Sequence, residues 1–263
     1  MNRINQLFQQ NPKRLLSIYF CAGSPTLNGT VQVTKDLENN GVSLIEIGIP
    51  FSDPMADGVV IQNAATEALR NGMSLKLLFQ QLRNIRQEVS IPLVLMGYLN
   101  PIYQFGFQHF CEECATCGID GVIIPDLPFR DYEQTFKQIA DQYDIRVIML
   151  ITPETSEERI REIDAHTDGF IYMVSSASTT GAQQDFDRQK QAYFEKVDSL
   201  NLRNPRMVGF GISNQQTFDA ACSHASGGII GSRFVSLLSQ YQGDADKAIK
   251  HLKNDISHCL ILK

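Results

Sequence analysis

The chain has 263 residues, 43% hydrophobic and 20% charged, with no tryptophan. Its 23 Lys plus Arg against 29 Asp plus Glu leave a formal net charge of −6, which disfavours nucleic-acid or anionic-membrane surfaces because both need a basic footprint. No apolar run approaches the roughly 18 residues of a membrane span. Met1-Asn2-Arg3-Ile4-Asn5-Gln6 has no signal-peptide core, so a cytoplasmic protein is expected.

Taken in chain order, strand-like apolar runs stand at 16–21, 43–48, 91–97, 119–125, 145–151, 168–174, 206–211 and 227–230. Each is nearly continuously hydrophobic, as strands covered on both faces are. Amphipathic stretches lie between them. In 74–89, for example, Leu75, Leu78, Leu82 and Ile85 recur at helical steps. Asn40-Gly41, Cys117-Gly118 and Ser226-Gly227 each place a glycine where a helix is expected to end. No linker or low-complexity tract divides the chain, so residues 1–263 are expected to form one domain. About eight strand–helix units without a break predict a closed (β/α)8 TIM barrel, with long loops after strands two and six. In such barrels the chemistry sits on the C-terminal face.

Glu46 lies in Leu44-Ile45-Glu46-Ile47-Gly48-Ile49. Alternation puts Leu44, Glu46 and Gly48 on one face and the three isoleucines on the other. With the isoleucines against helices, Glu46 points into the barrel, where desolvation raises a carboxyl pKa toward the range useful for proton transfer. The only basic strand residues that could pair with it, Arg146 and Arg206, start their strands on the opposite rim. Asp57 follows in a loop stiffened by Pro50, Pro54 and Gly58. Its alternative is ordinary turn chemistry, which Asp53 fits better. A strand carboxyl and a loop carboxyl could act on two atoms of one substrate.

Two glycine-led helix starts suggest a phosphate site: Gly209-Phe210-Gly211-Ile212-Ser213 and Gly228-Ile229-Ile230-Gly231-Ser232. Glycines admit a close backbone approach, and helix N–H groups attract a dianion without a lysine. The loops after strands seven and eight are the usual phosphate site of barrels. The six cysteines read as reduced thiols. Cys111, Cys114 and Cys117, with His109 close by, lack a second ligand pair and read as a buried helix seam. No histidine stands at a predicted strand end, so none is assigned to catalysis.

The run Ile45-Glu46-Ile47-Gly48-Ile49-Pro50-Phe51-Ser52-Asp53-Pro54-Met55-Ala56-Asp57-Gly58 closely resembles the signature of the tryptophan synthase alpha subunit family. The likeness spans the chain. Asn5-Gln6-Leu7-Phe8 resembles a helix that plugs the barrel bottom, and Gly97-Tyr98-Leu99-Asn100-Pro101-Ile102 and Pro125-Asp126-Leu127-Pro128 resemble strand exits. Tyr172-Met173-Val174-Ser175 with Thr179-Thr180-Gly181 resembles strand six and its mobile loop.

The resemblance implies a lyase that splits indole-3-glycerol phosphate into indole and glyceraldehyde 3-phosphate, with no metal or organic cofactor in this chain. It implies Glu46 as the acid–base group and Asp57 as the carboxylate facing the indole N–H. Tyr172 and Thr180 would line the site, and Gly181, Gly211, Gly231 and Ser232 would hold phosphate. The implied partner is a pyridoxal-phosphate-dependent beta subunit in an α2β2 complex. Two residues depart from the family pattern: Ser178 replaces a glycine and Val59 a proline. Both lie in loops expected to close over substrate. Two neighbouring barrel enzymes fit less well. An indole-glycerol-phosphate synthase needs a strand lysine, and a pentose-phosphate epimerase needs strand-end histidines. A catalytically silent, partner-activating subunit would not need both Glu46 and Asp57.

Overall fold

The computed structural model describes residues 1–174, 183–209 and 211–256. The strands are β1 (Leu15–Cys21), β2 (Leu44–Gly48), β3 (Leu93–Met96) and β4 (Gly121–Ile123). They continue as β5 (Arg146–Ile148), β6 (Leu150–Ile151), β7 (Ile171–Val174), β8 (Arg206–Gly209) and β9 (Gly227–Ile230). All pairings are parallel, in the order β5-β4-β3-β2-β1-β9-β8-β7-β6. The expected fifth strand is two segments, because the chain changes partner at Met149: Arg146–Ile148 pairs with β4, and Leu150–Ile151 with β7. Since β5 and β6 are adjacent in the chain, the two ends of the order meet. The result is a nearly closed (β/α)8 barrel ringed by helices.

Pleat alternation sorts the side chains as expected. Leu15, Leu44, Val94, Ile123, Ile148, Tyr172, Met207 and Ile229 form one buried cluster inside the barrel. Ile45, Ile47 and Ile49 join the outer cluster between sheet and helices. Removing this much apolar surface from water is the main stabilising contribution, of the order of 25 cal/mol per Å2.

The N-terminal helix Arg3–Gln10 closes the barrel bottom. Asn2 caps it by accepting from the Ile4 N–H, and its Nδ2 donates to the carbonyls of Asp120 and Asp144. Ile4 and Phe8 then enter the inner cluster, with Phe8 against the Phe170 ring at 5.6 Å. Below β4, Asp120 is buried between Arg3 at 3.0 Å and Arg86 at 2.5 Å.

The helix expected over 74–89 is Leu75–Leu82, capped by Ser74, followed by a 3-10 turn at Ile85–Gln87. Gly41 and Gly118 end their helices with φ of +76° and +73°, a conformation that disfavours a Cβ. Gly227 does not do so. Its helix ends at His224, and Gly227 begins β9, where a Cβ would overlap the Leu15 carbonyl. Close strand approach, rather than helix termination, explains that glycine. Cys111, Cys114 and Cys117 are buried in the helix Phe107–Cys117, as expected for a seam. Burial raises the thiol pKa of all three, so they stay protonated.

Candidate active site

Glu46 lies in the middle of β2, and its side chain is almost completely buried. The Ser17 hydroxyl, on neighbouring β1, donates to its Oε1 at 2.9 Å. Its Oε2 is buried and has no hydrogen-bond partner among the described residues. Neither arginine reaches it. Arg146 pairs with Asp144 at 2.8 Å and Asp168 at 3.2 Å, and Arg206 with Asp198 at 2.8 Å. Burial pushes the Glu46 pKa from 4.5 up to about 8, opposed by the Ser17 hydrogen bond. A neutral carboxyl, able to give a proton, therefore predominates at neutral pH.

Asp57 stands in the loop 49–58 above β2, half-buried. The Tyr98 hydroxyl donates to its Oδ2 at 2.9 Å and accepts from the Ala56 N–H at 2.9 Å. Burial raises the Asp57 pKa and the Tyr98 hydrogen bond lowers it. Phe51 packs on Tyr98 at 5.4 Å, so one phenol holds the loop in three ways. Asp53 accepts from Ser52 Oγ at 2.5 Å and is exposed, as ordinary turn chemistry requires.

Glu46 and Asp57 line one cavity of about 160 Å3, together with Tyr172, Gly211, Gly231 and Ser232. Six of the eight expected site residues thus converge. Thr180 and Gly181, with Ser178, lie outside the described residues. Tyr19, Ile61, Met96 and Arg233 complete more of the wall and were not expected. Tyr19 was legible in principle, because it shares the inward face of β1 with Ser17 and pairs in register with Glu46. Arg233 is held by Asp255, with Nη2 at 2.6 Å, across from the helix Ala245–Ile256.

Two glycines make room for the tyrosines. A Cβ at Gly48 would overlap the Tyr19 hydroxyl, and one at Gly209 the Tyr172 hydroxyl. Both tyrosines have pKa values raised well above the ordinary range by burial, so they remain neutral donors.

The two expected phosphate pieces are not equivalent. The helix Gln215–His224 is capped by Asn214, not Ser213, in a reciprocal box with Thr217 that satisfies its own end. The helix Ser232–Gln240 has Gly231 at its cap and no side-chain hydrogen bond there. Its first N–H groups have no capping side chain, and its positive dipole end, at Gly231 and Ser232, lines the cavity. Gly211, at φ +74°, brings the strand-seven loop to the same wall.

A groove of about 600 Å3 lies at the opposite rim, but its His224, Arg206 and Asp198 are paired with one another. None of the described histidines lines the carboxyl cavity.

A nearly closed parallel barrel with a buried acid on strand two and an open helix N-terminus after the last strand defines a (β/α)8 enzyme for small anionic substrates. The chain belongs to the tryptophan synthase alpha chain family, whose model matches residues 4–259. It is 75% identical over 254 residues to the tryptophan synthase alpha chain of Bacteroides thetaiotaomicron, covering 97% of this chain and 99% of that one. The alpha chain of Phocaeicola vulgatus is 67% identical over 258 residues, covering 97% and 100%. Among solved structures, tryptophan synthase subunit alpha from Legionella pneumophila superposes with a TM-score of 0.86 at 31% identity, covering 98% and 99%. The family's function is cleavage of indole-3-glycerol phosphate in tryptophan biosynthesis.

Proposed function

We propose that this chain cleaves indole-3-glycerol phosphate to indole and glyceraldehyde 3-phosphate with Glu46 as acid–base group and Asp57 as charge-balancing carboxylate. The observation that carries the assignment is the buried Oε2 of Glu46, without a hydrogen-bond partner among the described residues, in the cavity that also holds Asp57. Glu46, neutral at pH 7, protonates indole C3, and the ring becomes an indolenine cation. The ionised Asp57 offsets the positive charge at the indole nitrogen. Glu46, now a carboxylate, accepts the proton of the side-chain hydroxyl next to C3. The C3–carbon bond then breaks, its electron pair returns to the ring, and the oxygen-bearing fragment leaves as an aldehyde. Substrate and products balance without an oxidant or reductant, so no metal or organic cofactor is assigned to this chain.

The phosphate is assigned to the open N-terminus at Gly231 and Ser232, with Gly211 beside it. Tyr172 and Thr180 are assigned to line the site, and Gly181 to join the phosphate contacts. The partner is a pyridoxal-phosphate-dependent beta subunit in an α2β2 assembly, seated on the rim where Met55, Val59 and Tyr103 are exposed. A cytoplasmic site of action accompanies this reading.

The deciding experiment incubates the purified chain with indole-3-glycerol phosphate and assays both products. Equimolar indole and glyceraldehyde 3-phosphate from the parent, and neither from Glu46→Gln, is the expected result. Undiminished turnover in that variant would overturn the assignment.

A further inference from the structure

We propose that Ser17 is a positioning residue for the proton transfer: its hydroxyl, donated to Oε1 of Glu46, leaves Oε2 to carry the exchangeable proton toward the substrate. The inference rests on the reading of Glu46 as the acid–base group. Ser17 interrupts Leu15-Leu16-Ser17-Ile18-Tyr19-Phe20-Cys21, and its side chain is fully buried inside the barrel. A hydroxyl there is costly unless it is hydrogen-bonded, and its partner is Glu46 Oε1 at 2.9 Å.

A neutral carboxyl has one acceptor oxygen and one O–H. Donation by Ser17 makes Oε1 the acceptor, so the proton resides on Oε2. That oxygen is the one without a partner among the described residues. An undirected carboxyl would divide its time between two arrangements, only one of which faces the substrate with its proton. Ser17 therefore selects the competent one before substrate arrives.

The titratable groups sharing this wall are Tyr19 on β1, Tyr172 on β7 and Asp57 in the loop after β2. Arg233, also on the wall, is paired with Asp255. Burial keeps both tyrosines neutral, so they do not titrate near Glu46.

The test measures turnover of indole-3-glycerol phosphate against pH for the full chain and for Ser17→Ala, Ser17→Thr and Ser17→Val, with Glu46→Gln in parallel. Threonine and valine share a shape and differ in the hydroxyl, and alanine only removes an atom, so it carries the test if the larger residues do not fold. Ser17→Ala and Ser17→Val are expected to lose about tenfold in kcat with KM within about twofold. Their alkaline limb should move to higher pH, because the lost hydrogen bond favoured the carboxylate. Ser17→Thr should restore both. A merely structural hydroxyl would lower the melting temperature without moving the limb. Parent kcat and an unmoved limb in Ser17→Ala overturn the proposal while an inactive Glu46→Gln leaves the Glu46 reading standing. Retained turnover in Glu46→Gln overturns both.

Discussion

The Tyr98 phenol, just beyond the C-terminal end of β3, donates to Asp57 Oδ2 at 2.9 Å and accepts from the Ala56 N–H at the same distance. The loop that carries the carboxylate proposed to balance the indolenine charge is thereby fastened to the rigid barrel by one side chain. Holding such a group to within a fraction of an ångström is what allows it to act in the transition state. Tyr98→Phe removes both bonds and keeps the ring on Phe51. We expect kcat to fall about tenfold, and Asp57→Asn to fall by two decades or more, since an amide cannot balance the indolenine charge. Steady-state kinetics on both variants check the ranking. Equal losses would mean that Tyr98 does more than hold the loop.

Glu46→Gln is expected to bind substrate and lose at least about three decades of turnover, because an amide cannot shuttle a proton. On the proposed mechanism the protonated form is the active one, and burial pushes its pKa up to about 8. Turnover should therefore be level through neutrality and fall as pH rises past that value. A kcat–pH profile with no alkaline limb would contradict the assignment of Glu46 as the initial acid.

The same burial makes Glu46 a stability switch. Its pKa is raised from 4.5 to about 8 on folding, so the folded chain holds this proton more tightly than the unfolded one. Its contribution is fully present below about pH 4.5 and is lost as pH rises through about 8. Glutamine has no such loss. At about pH 9, Glu46→Gln should resist urea better than the parent by on the order of a few kcal/mol. Near pH 4 that advantage should vanish, which equilibrium unfolding at the two pH values would detect.

Gly231→Asp should raise the KM for indole-3-glycerol phosphate at least about tenfold, by setting a like charge against the dianion. A Cβ at Gly231 meets its nearest neighbour, Tyr19, at an ordinary 3.5 Å, so the fold should survive. Calorimetry with glycerol phosphate separates the two effects. Parent-like affinity in a folded variant would place the phosphate elsewhere.

Gly209→Ala should behave differently, because its Cβ would overlap the Tyr172 hydroxyl. The expected outcome is a loss of both activity and stability, of about 1–3 kcal/mol for an overpacked core. Adding Tyr172→Phe removes the obstructing oxygen and should recover part of that stability. A double variant no more stable than Gly209→Ala would show that the Tyr172 ring carbons Cε1 and Cζ, which the added Cβ would also overlap, set the limit rather than the hydroxyl.

With a beta subunit seated on the rim that carries Met55, Val59 and Tyr103, lyase turnover should rise by one to two decades, roughly 1.4–2.7 kcal/mol. The expected cause is a bias of the Asp57 loop toward the position that sets its carboxylate over the indole. Titrating the purified chain with its beta subunit while following indole release measures it, and the missing tryptophan in this chain keeps the fluorescence background low.

Much of the barrel was legible because its signals are local. Nearly continuous apolar runs placed the strands, with β5 and β6 read as one, and alternation alone turned Glu46 inward and Ile45, Ile47 and Ile49 outward. The glycine-led helix start at Gly231 and the paired carboxyls Glu46 and Asp57 could likewise be read from neighbouring residues. Other features depend on which segments meet in space. The break at Met149 follows from β5 and β6 serving different neighbours. Asn214 caps its helix because Thr217 could reciprocate, and Gly227 proved a strand contact with Leu15. Ser17, Tyr19 and Tyr98 entered the site through partners 29, 27 and 41 positions away, counted as Ser17 to Glu46, Tyr19 to its register partner Glu46, and Tyr98 to Asp57. The sequence by itself thus determined the barrel and its two carboxyls, through periodicity and residue chemistry. Only the tertiary structure decided which oxygen of Glu46 is free and which helix end is open, because a hydrogen bond exists only once folding has brought its two groups together and excluded water from between them.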